Sequence, residues 1–258
     1  MHSVGQDKTI VTAAMLVIGN EILSGRTQDA NMHYIAGRLN ELGVRLAEAR
    51  VVRDIQSEIV AALNALRKAH DYVFTSGGIG PTHDDITADA IAAAFGASID
   101  VRADARALLE AHYEPGHLTP ARLRMARIPE GAELIGNPIS AAPGFRMENV
   151  YVMAGVPAIF RAMFEGCCHQ IAGGAPLLSR TISCELPEGR LAEPLGALQA
   201  RYAEVDIGSY PFYRGQRFGT SIVLRTVDPA LLDEVASALK AAMVALGGTP
   251  HEGDPPGT

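Results

Sequence analysis

Residues 75 to 87 read Thr-Ser-Gly-Gly-Ile-Gly-Pro-Thr-His-Asp-Asp-Ile-Thr, joining three glycines to two consecutive carboxylates. Gly77, Gly78 and Gly80 allow the backbone to take positive φ and approach a ligand closely, and amides at a following helix N-terminus would point at an anion. That chemistry suits a phosphate. Asp84 and Asp85 repel phosphate, so they point either to a divalent metal between protein and phosphates or to a base acting on a nucleophile. The competing reading is structural: Thr82, Asp84 or Asp85 caps the helix and favours its dipole. His83 suits a proton carrier or a phosphate contact, or is an exposed turn residue. Asp89, one helical turn after Asp85, is able to assist in holding such an ion if the helix starts early.

The elements that must hold this run are legible around it. Asp71 to Phe74 is rich in strand formers, and an apolar-periodic helix runs from Ile86 to Phe95 until Gly96 ends it. Upstream, Thr9 to Ile18 is a near-continuous apolar strand, followed by the turn Gly19-Asn20-Glu21 and a helix from Asn31 to Leu42. A strand from Val44 to Val52 and a helix from about Ile55 to Ala69 complete the repeat. Strands alternating with helices imply a mostly parallel sheet covered on both faces, an α/β fold. Residues 98 to 128 read as a polar helical excursion broken at Pro115-Gly116. The sheet resumes at Val150 to Met153, and Pro157 opens a helix from Ala158 to Ile171.

After Gly173-Gly174-Ala175-Pro176 the order becomes strand, helix, strand, strand, helix over residues 177–248, a small α+β module. RNA binding is one use of such an order, but the nearest G-x-x-G candidate, Gly215 to Gly219, is one residue too long. Seven Lys and Arg against eight Asp and Glu over this stretch leave no basic excess. The expected division is residues 9–173, residues 177–248 and a flexible tail over residues 249–258.

Ligands of open α/β sheets bind beyond the carboxyl ends of the strands. Besides the 75 to 87 loop, two turns there are rich in small and polar residues. One is Gly19 to Gly25, with Thr27, Asp29 and Asn31 behind it; the other joins Asn137 through Ala142-Pro143-Gly144 to Gly155-Val156-Pro157. Each also has an ordinary explanation as a turn or cap.

At 258 residues, 48% hydrophobic and 20% charged, the chain reads as a soluble globular protein. Its net charge of −7 gives no electrostatic reason to expect nucleic acid. No apolar run reaches a membrane span and no leader is legible, so a cytoplasmic location is expected. Cys167 and Cys168 are adjacent, which suits helix packing better than a disulfide or, with His169, a metal site. Walker A, G-x-G-x-x-G, H-E-x-x-H, C-x-x-C and serine-hydrolase elbow patterns are all missing.

The turn Gly19-Asn20-Glu21-Ile22-Leu23-Ser24-Gly25, the loop from Thr75 to Thr87 and the turn Ala142-Pro143-Gly144 resemble the MoaB/Mog molybdopterin-binding domain. The Gly-Pro-Thr-His-Asp-Asp-Ile-Thr ending and Ile207-Gly208-Ser209-Tyr210-Pro211 are similar to the competence/damage-inducible protein A (CinA) family and to the related domain of eukaryotic FAD synthetases. The resemblance implies a three-layer α/β/α fold, mostly parallel, binding a phosphorylated pterin (molybdopterin) or nucleotide. Its site would comprise Gly19, Asn20, Thr75, Ser76, Gly77, Gly78, Gly80, Pro81, Thr82, Asn137, Ala142, Pro143 and Gly144. In the molybdopterin adenylyltransferases the final Asp of the loop, here Asp85, is essential. The competence-protein branch implies a metal-dependent pyrophosphatase acting on ADP-ribose or FAD-like dinucleotides, with Asp84 and Asp85 holding Mg, Mn or Co and Glu21 orienting water or ligating the metal. A non-catalytic cofactor-binding protein linked to molybdenum cofactor biosynthesis is the alternative. Asn20 stands where many relatives have Asp, removing one possible ligand. The chain ends without an amidohydrolase region, so deamidation of nicotinamide mononucleotide is not expected. Relatives of this kind lead to the expectation of a homo-oligomer, a dimer or trimer.

Overall fold

The computed structural model describes residues 10–214 and 217–253, and the chain divides into two units, residues 1–175 and 176–258. In the first unit, β1 (Val11–Ile18) leads through the single-turn α1 (Asn20–Leu23) to α2 (Asn31–Glu41), β2 (Val44–Val52) and α3 (Gln56–Ala69). Then come β3 (Tyr72–Ser76), α4 (Thr87–Phe95), β4 (Ile99–Val101), α5 (Ala103–His112), α6 (Pro120–Leu123) and β5 (Arg127–Pro129). The unit closes with β6 (Glu133–Ile135), β7 (Gly144–Met147), β8 (Val150–Met153) and α7 (Pro157–Cys167).

Six strands form one sheet in the order β2-β1-β3-β8-β7-β6. The first four are parallel, and β7 and β6 add an antiparallel edge. The two-residue period of β1 explains the layers. Ala14, Leu16 and Ile18 face a core built with Ile59, Leu63 and Ile91 of α3 and α4, while Ala13, Met15 and Val17 face one built with Ile35, Phe160 and Phe164 of α2 and α7. Both faces are therefore covered, giving the three-layer α/β/α arrangement. Helix ends follow local chemistry: Gly96 takes the left-handed conformation that ends α4, and Pro157 stands in the first turn of α7.

Three stretches differ from the sequence expectation. The excursion after α4 is framed by an antiparallel ribbon, with Ile99 opposite Pro129, and it encloses α5 and α6. Three-residue strands carry too few alternations to announce themselves, and their pairing spans a long loop. The β6–β7 edge was likewise hidden in what read as a turn. The helix expected to reach Ile171 ends at Cys167 and tightens into a 3₁₀ turn over Cys168–Gln170.

In the second unit, β9 (Leu178–Cys184), α8 (Glu188–Arg201), β10 (Asp206–Arg214), β11 (Arg217–Thr226) and α9 (Pro229–Ala245) surround a core that includes Ile182, Leu191, Ile222 and Leu239. A final strand, β12 (His251–Glu252), pairs antiparallel with β9, so the stretch read as a tail carries a short strand, and its remainder from Asp254 lies outside the described residues. The sheet order is β10-β11-β9-β12, all antiparallel. The loop weighed for RNA lies in part outside the described residues, at positions 215–216. No described helix is long and apolar enough to cross a membrane.

Candidate functional site

The strand order reverses between β1 and β3: the chain leaves β1 to one side for β2 and returns to the other for β3. A crevice opens beyond the carboxyl ends of strands at such a point. Here the ends are Ile18 and Ser76, with Met153 of β8 beside them; the amide of Gly77 donates to the Met153 carbonyl at 3.2 Å.

The glycines are required by close packing as much as by ligand access. Gly77 sits at φ +105° and a Cβ there would collide with the Ile18 carbonyl; Gly78, at φ +71°, would collide with the Thr87 hydroxyl. Thr87, the first residue of α4, fastens the loop from the other side. Its hydroxyl donates to the Gly77 carbonyl and its amide to the Gly78 carbonyl, each at 2.9 Å. Gly80 makes room for a different group, since a Cβ there would lie 2.7 Å from Oδ2 of Asp85.

The acidic end is held by one residue. The Thr82 hydroxyl lies within hydrogen-bonding distance of Asp84 Oδ1 and of Asp85 Oδ2, the latter at 2.5 Å, so its one proton is shared between them, and the Thr82 amide donates to the same Asp85 oxygen at 2.8 Å. The Thr82 hydroxyl holds the Asp84 carboxyl below the usual range. Asp84 and His83 are exposed, with His83 Nδ1 3.9 Å from Asp84 Oδ1, whereas Asp85 is half-buried. Asp89 is committed elsewhere: Arg127 grips it with two bonds of 2.6 and 2.8 Å, which displaces the role of assisting Asp85.

A cleft of about 490 Å³ opens over this loop. From the first turn it is lined by Glu21 and Thr27, and from the glycine loop by Gly77, Gly78, Gly80, Pro81 and Asp85. From the third region come Asn137, Ser140, Ala142 and the turn from Ala154 to Pro157. The three turns thus converge on one space, which Asp85 and Glu21 both line.

Other expected residues lie around it. Glu21 folds back over Gly19, and Asn20 is exposed with its amide donating to Asp54 at 2.9 Å. Thr75 and Ser76 are buried at the end of β3, and Ser76 accepts from the Asn31 amide at 2.7 Å. Asn31 also donates to the Gly155 carbonyl at 2.8 Å, pinning the α2 end to two of the turns. Pro143 lines a small recess behind the glycine loop. Gly144 is buried in β7, where a Cβ would strike the Val152 carbonyl, so packing of the sheet accounts for that glycine. Asn137 spends its amide on its own loop: Nδ2 donates to Ser140 and to the Ala142 carbonyl, while Oδ1 accepts from two amides.

Sequence reading did not find Met125 or Arg124, which reach the loop from the excursion, because only the β4–β5 pairing brings them there. The cysteines are free thiols; Cys167 is buried against α2 and the sheet, and burial pushes its thiol up to about 12.

Residues 14–173 match the family model described as a probable molybdopterin binding domain, and residues 176–246 match the FAD synthase middle domain. A "Probable FAD synthase" of Caenorhabditis briggsae is 32% identical over 93% of this chain and 50% of its own length. Protein PH0439 of Pyrococcus horikoshii is 31% identical over 88% of this chain and 93% of its own. A CinA-like protein of Salinibacter ruber is 31% identical over 88% and 59%. The chain spans about half the length of the curated FAD synthase relatives it matches. Among solved structures, "the protein CinA with unknown function from Thermoplasma acidophilum" aligns with a TM-score of 0.60 and 34% identity, over 63% of this chain and 99% of that one.

Proposed function

Because the chain belongs to the family of probable molybdopterin-binding domains and carries a FAD synthase middle-domain region behind it, we propose that its cleft binds a pyrophosphate-containing nucleotide or phosphorylated pterin and cleaves the phosphoanhydride with a divalent metal. The observation that carries this reading is the convergence of three turns on one cleft, lined by the glycine loop and by the acidic residues Asp85 and Glu21. The name of the worm relative puts FAD among the first substrates to try.

The donor chemistry fits a hard ion. Two acidic residues, Asp85 and Glu21, line the cleft, and no group of three or more His, Cys, Asp and Glu able to hold a metal ion gathers among the described residues. Two carboxylates completed by substrate phosphates and water are a usual set for Mg²⁺. Such an ion supplies neutralisation of the charge that develops on the phosphates. The chain's own part is to seat phosphate on the glycine-loop amides, to hold Asp85 through Thr82, and to set Glu21 where it can orient water. Self-association as a dimer or trimer belongs to the same proposal.

Hydrolysis of FAD and ADP-ribose, followed by product release with Mg²⁺, Mn²⁺ or Co²⁺, is the test. Turnover is expected with at least one ion, and Asp85→Asn is expected to lower it by about 100-fold or more, as loss of an electrostatic group at a reacting centre does. A folded protein that cleaves neither dinucleotide defeats the catalytic reading. A second reading, a binding module without turnover, is favoured by one observation: the bonds from Thr82 give Asp85 a structural task. In that case Asp85→Asn retains ligand affinity and no metal dependence is found.

A further inference from the structure

The segment from Ala103 to Arg127 supplies a charge that the glycine loop lacks. In and beside it stand five arginines, and four have evident partners. Arg102 pairs with Asp104, Arg106 with Glu110 and Arg127 with Asp89, while Arg122 stacks 4.4 Å from the centre of the Tyr113 ring and donates to the His117 carbonyl. Arg124 differs from all of them. Among the described residues its side chain makes one bond, a long one of 3.5 Å from Nη2 to the Asp85 backbone carbonyl, and its buried Nε has no partner there. No carboxylate lies within ion-pairing distance of it among those residues.

Its position gives this charge a direction. Arg124 lines the recess behind the glycine loop together with Gly78, Gly80, Asp85 and Asp89, and this recess adjoins the main cleft, since Gly78, Gly80, Asp85 and Met125 line both. Leu123 and Met125 pack on the core beside it, so the backbone carrying Arg124 is anchored on both sides. A half-buried guanidinium with an unmet donor is a standing cost until an acceptor arrives. Guanidinium is also the side-chain group whose fork of donors best matches phosphate oxygens.

Resting on the phosphate-binding reading above, we infer that Arg124 is a ligand-binding residue that takes a phosphate of the bound nucleotide or pterin on the excursion side of the glycine loop.

Titration calorimetry of the full chain with inorganic pyrophosphate and with ADP-ribose tests this. Arg124→Gln is expected to weaken both by about tenfold or more and to flatten the salt dependence, and Arg124→Lys to recover part of the loss. Arg106→Gln, which removes the same charge from the exposed α5 surface, is the control and should bind as the parent does. Parent-like affinity in Arg124→Gln overturns the assignment while leaving the phosphate site standing. Equal losses in Arg124→Gln and Arg106→Gln overturn it too, because they show only net charge. If the parent chain binds neither probe, the phosphate reading fails and Arg124 falls with it. Should Arg124→Gln unfold, Arg124→Lys decides, and affinity equal to the parent's together with an unchanged salt dependence overturns the fork geometry.

Discussion

The two halves of the 75 to 87 loop are held by different means. Gly77 and Gly78 are fixed by close packing: the Ile18 carbonyl crowds one, the Thr87 hydroxyl crowds the other, and the Met153 carbonyl takes the Gly77 amide. Asp84 and Asp85 are fixed by a single residue, Thr82, through its hydroxyl and its backbone amide, on the exposed side of the turn. The first half is thus part of the sheet's packing, and the second is free to exchange its partners for a ligand. A site that must accept something needs both, a rigid seat and groups whose present bonds are cheap to replace.

The largest effect that separates the halves is steric. Gly77→Ala should destabilise the first unit by about 3 kcal/mol or more in urea unfolding, from positive φ and overpacking together. Gly96→Ala, also at positive φ (+65°) but with open space around it, should cost only about 1 kcal/mol. Equal losses would show that φ alone matters and that the seat is not packed. Next comes Asp89→Ala, which leaves Arg127 unpaired with about 29% of its side chain exposed and should cost about 1–2 kcal/mol. Asp85→Asn, by contrast, should cost less than about 1 kcal/mol, since its bonds are exposed. A stability loss at Asp85 as large as that at Asp89 would erase the distinction between the halves.

The smallest effect calibrates the comparison with a carboxylate that is committed. Glu165 on α7 accepts from Arg38 and Tyr34 of α2, and the bond from Arg38 chiefly holds its carboxyl down at about 2, while burial and Glu165 push the Tyr34 hydroxyl up to about 12. The folded value of Glu165 lies below its unfolded one, so this stabilisation is complete above about pH 4.5 and is lost as pH falls through about 2. Because Glu165 is 45% exposed, screening limits it to about 1 kcal/mol or less. Acid unfolding of Glu165→Gln should show a shallower slope between these values, and an unchanged slope would assign the acid sensitivity to other groups.

The sequence made the parallel half of the sheet readable because each strand and helix there is long enough to show its period. Val44 to Val52 appears as a strand at those limits, and α4 stops where Gly96 said it would. The convergence of turns followed from the rule for open sheets. What stayed hidden was set by distant pairings. Ile99 against Pro129 brings Arg124, Met125 and Arg127 to the loop, and nothing near Asp89 in the chain marks Arg127 as its partner. Gly144 shows the same limit, since a glycine needed beneath a neighbouring strand has the same letter as one needed beneath a phosphate.

The bonds of Asn31 tie residues 45 and 124 positions away, Ser76 and Gly155, into one arrangement beneath the cleft. No short piece of the chain therefore holds the site's shape, and the shape exists only once β1, β3 and β8 are together. Recognition becomes a readout of the whole first unit's folding equilibrium: any true ligand must raise that unit's melting temperature in proportion to the logarithm of its concentration, whatever chemistry follows.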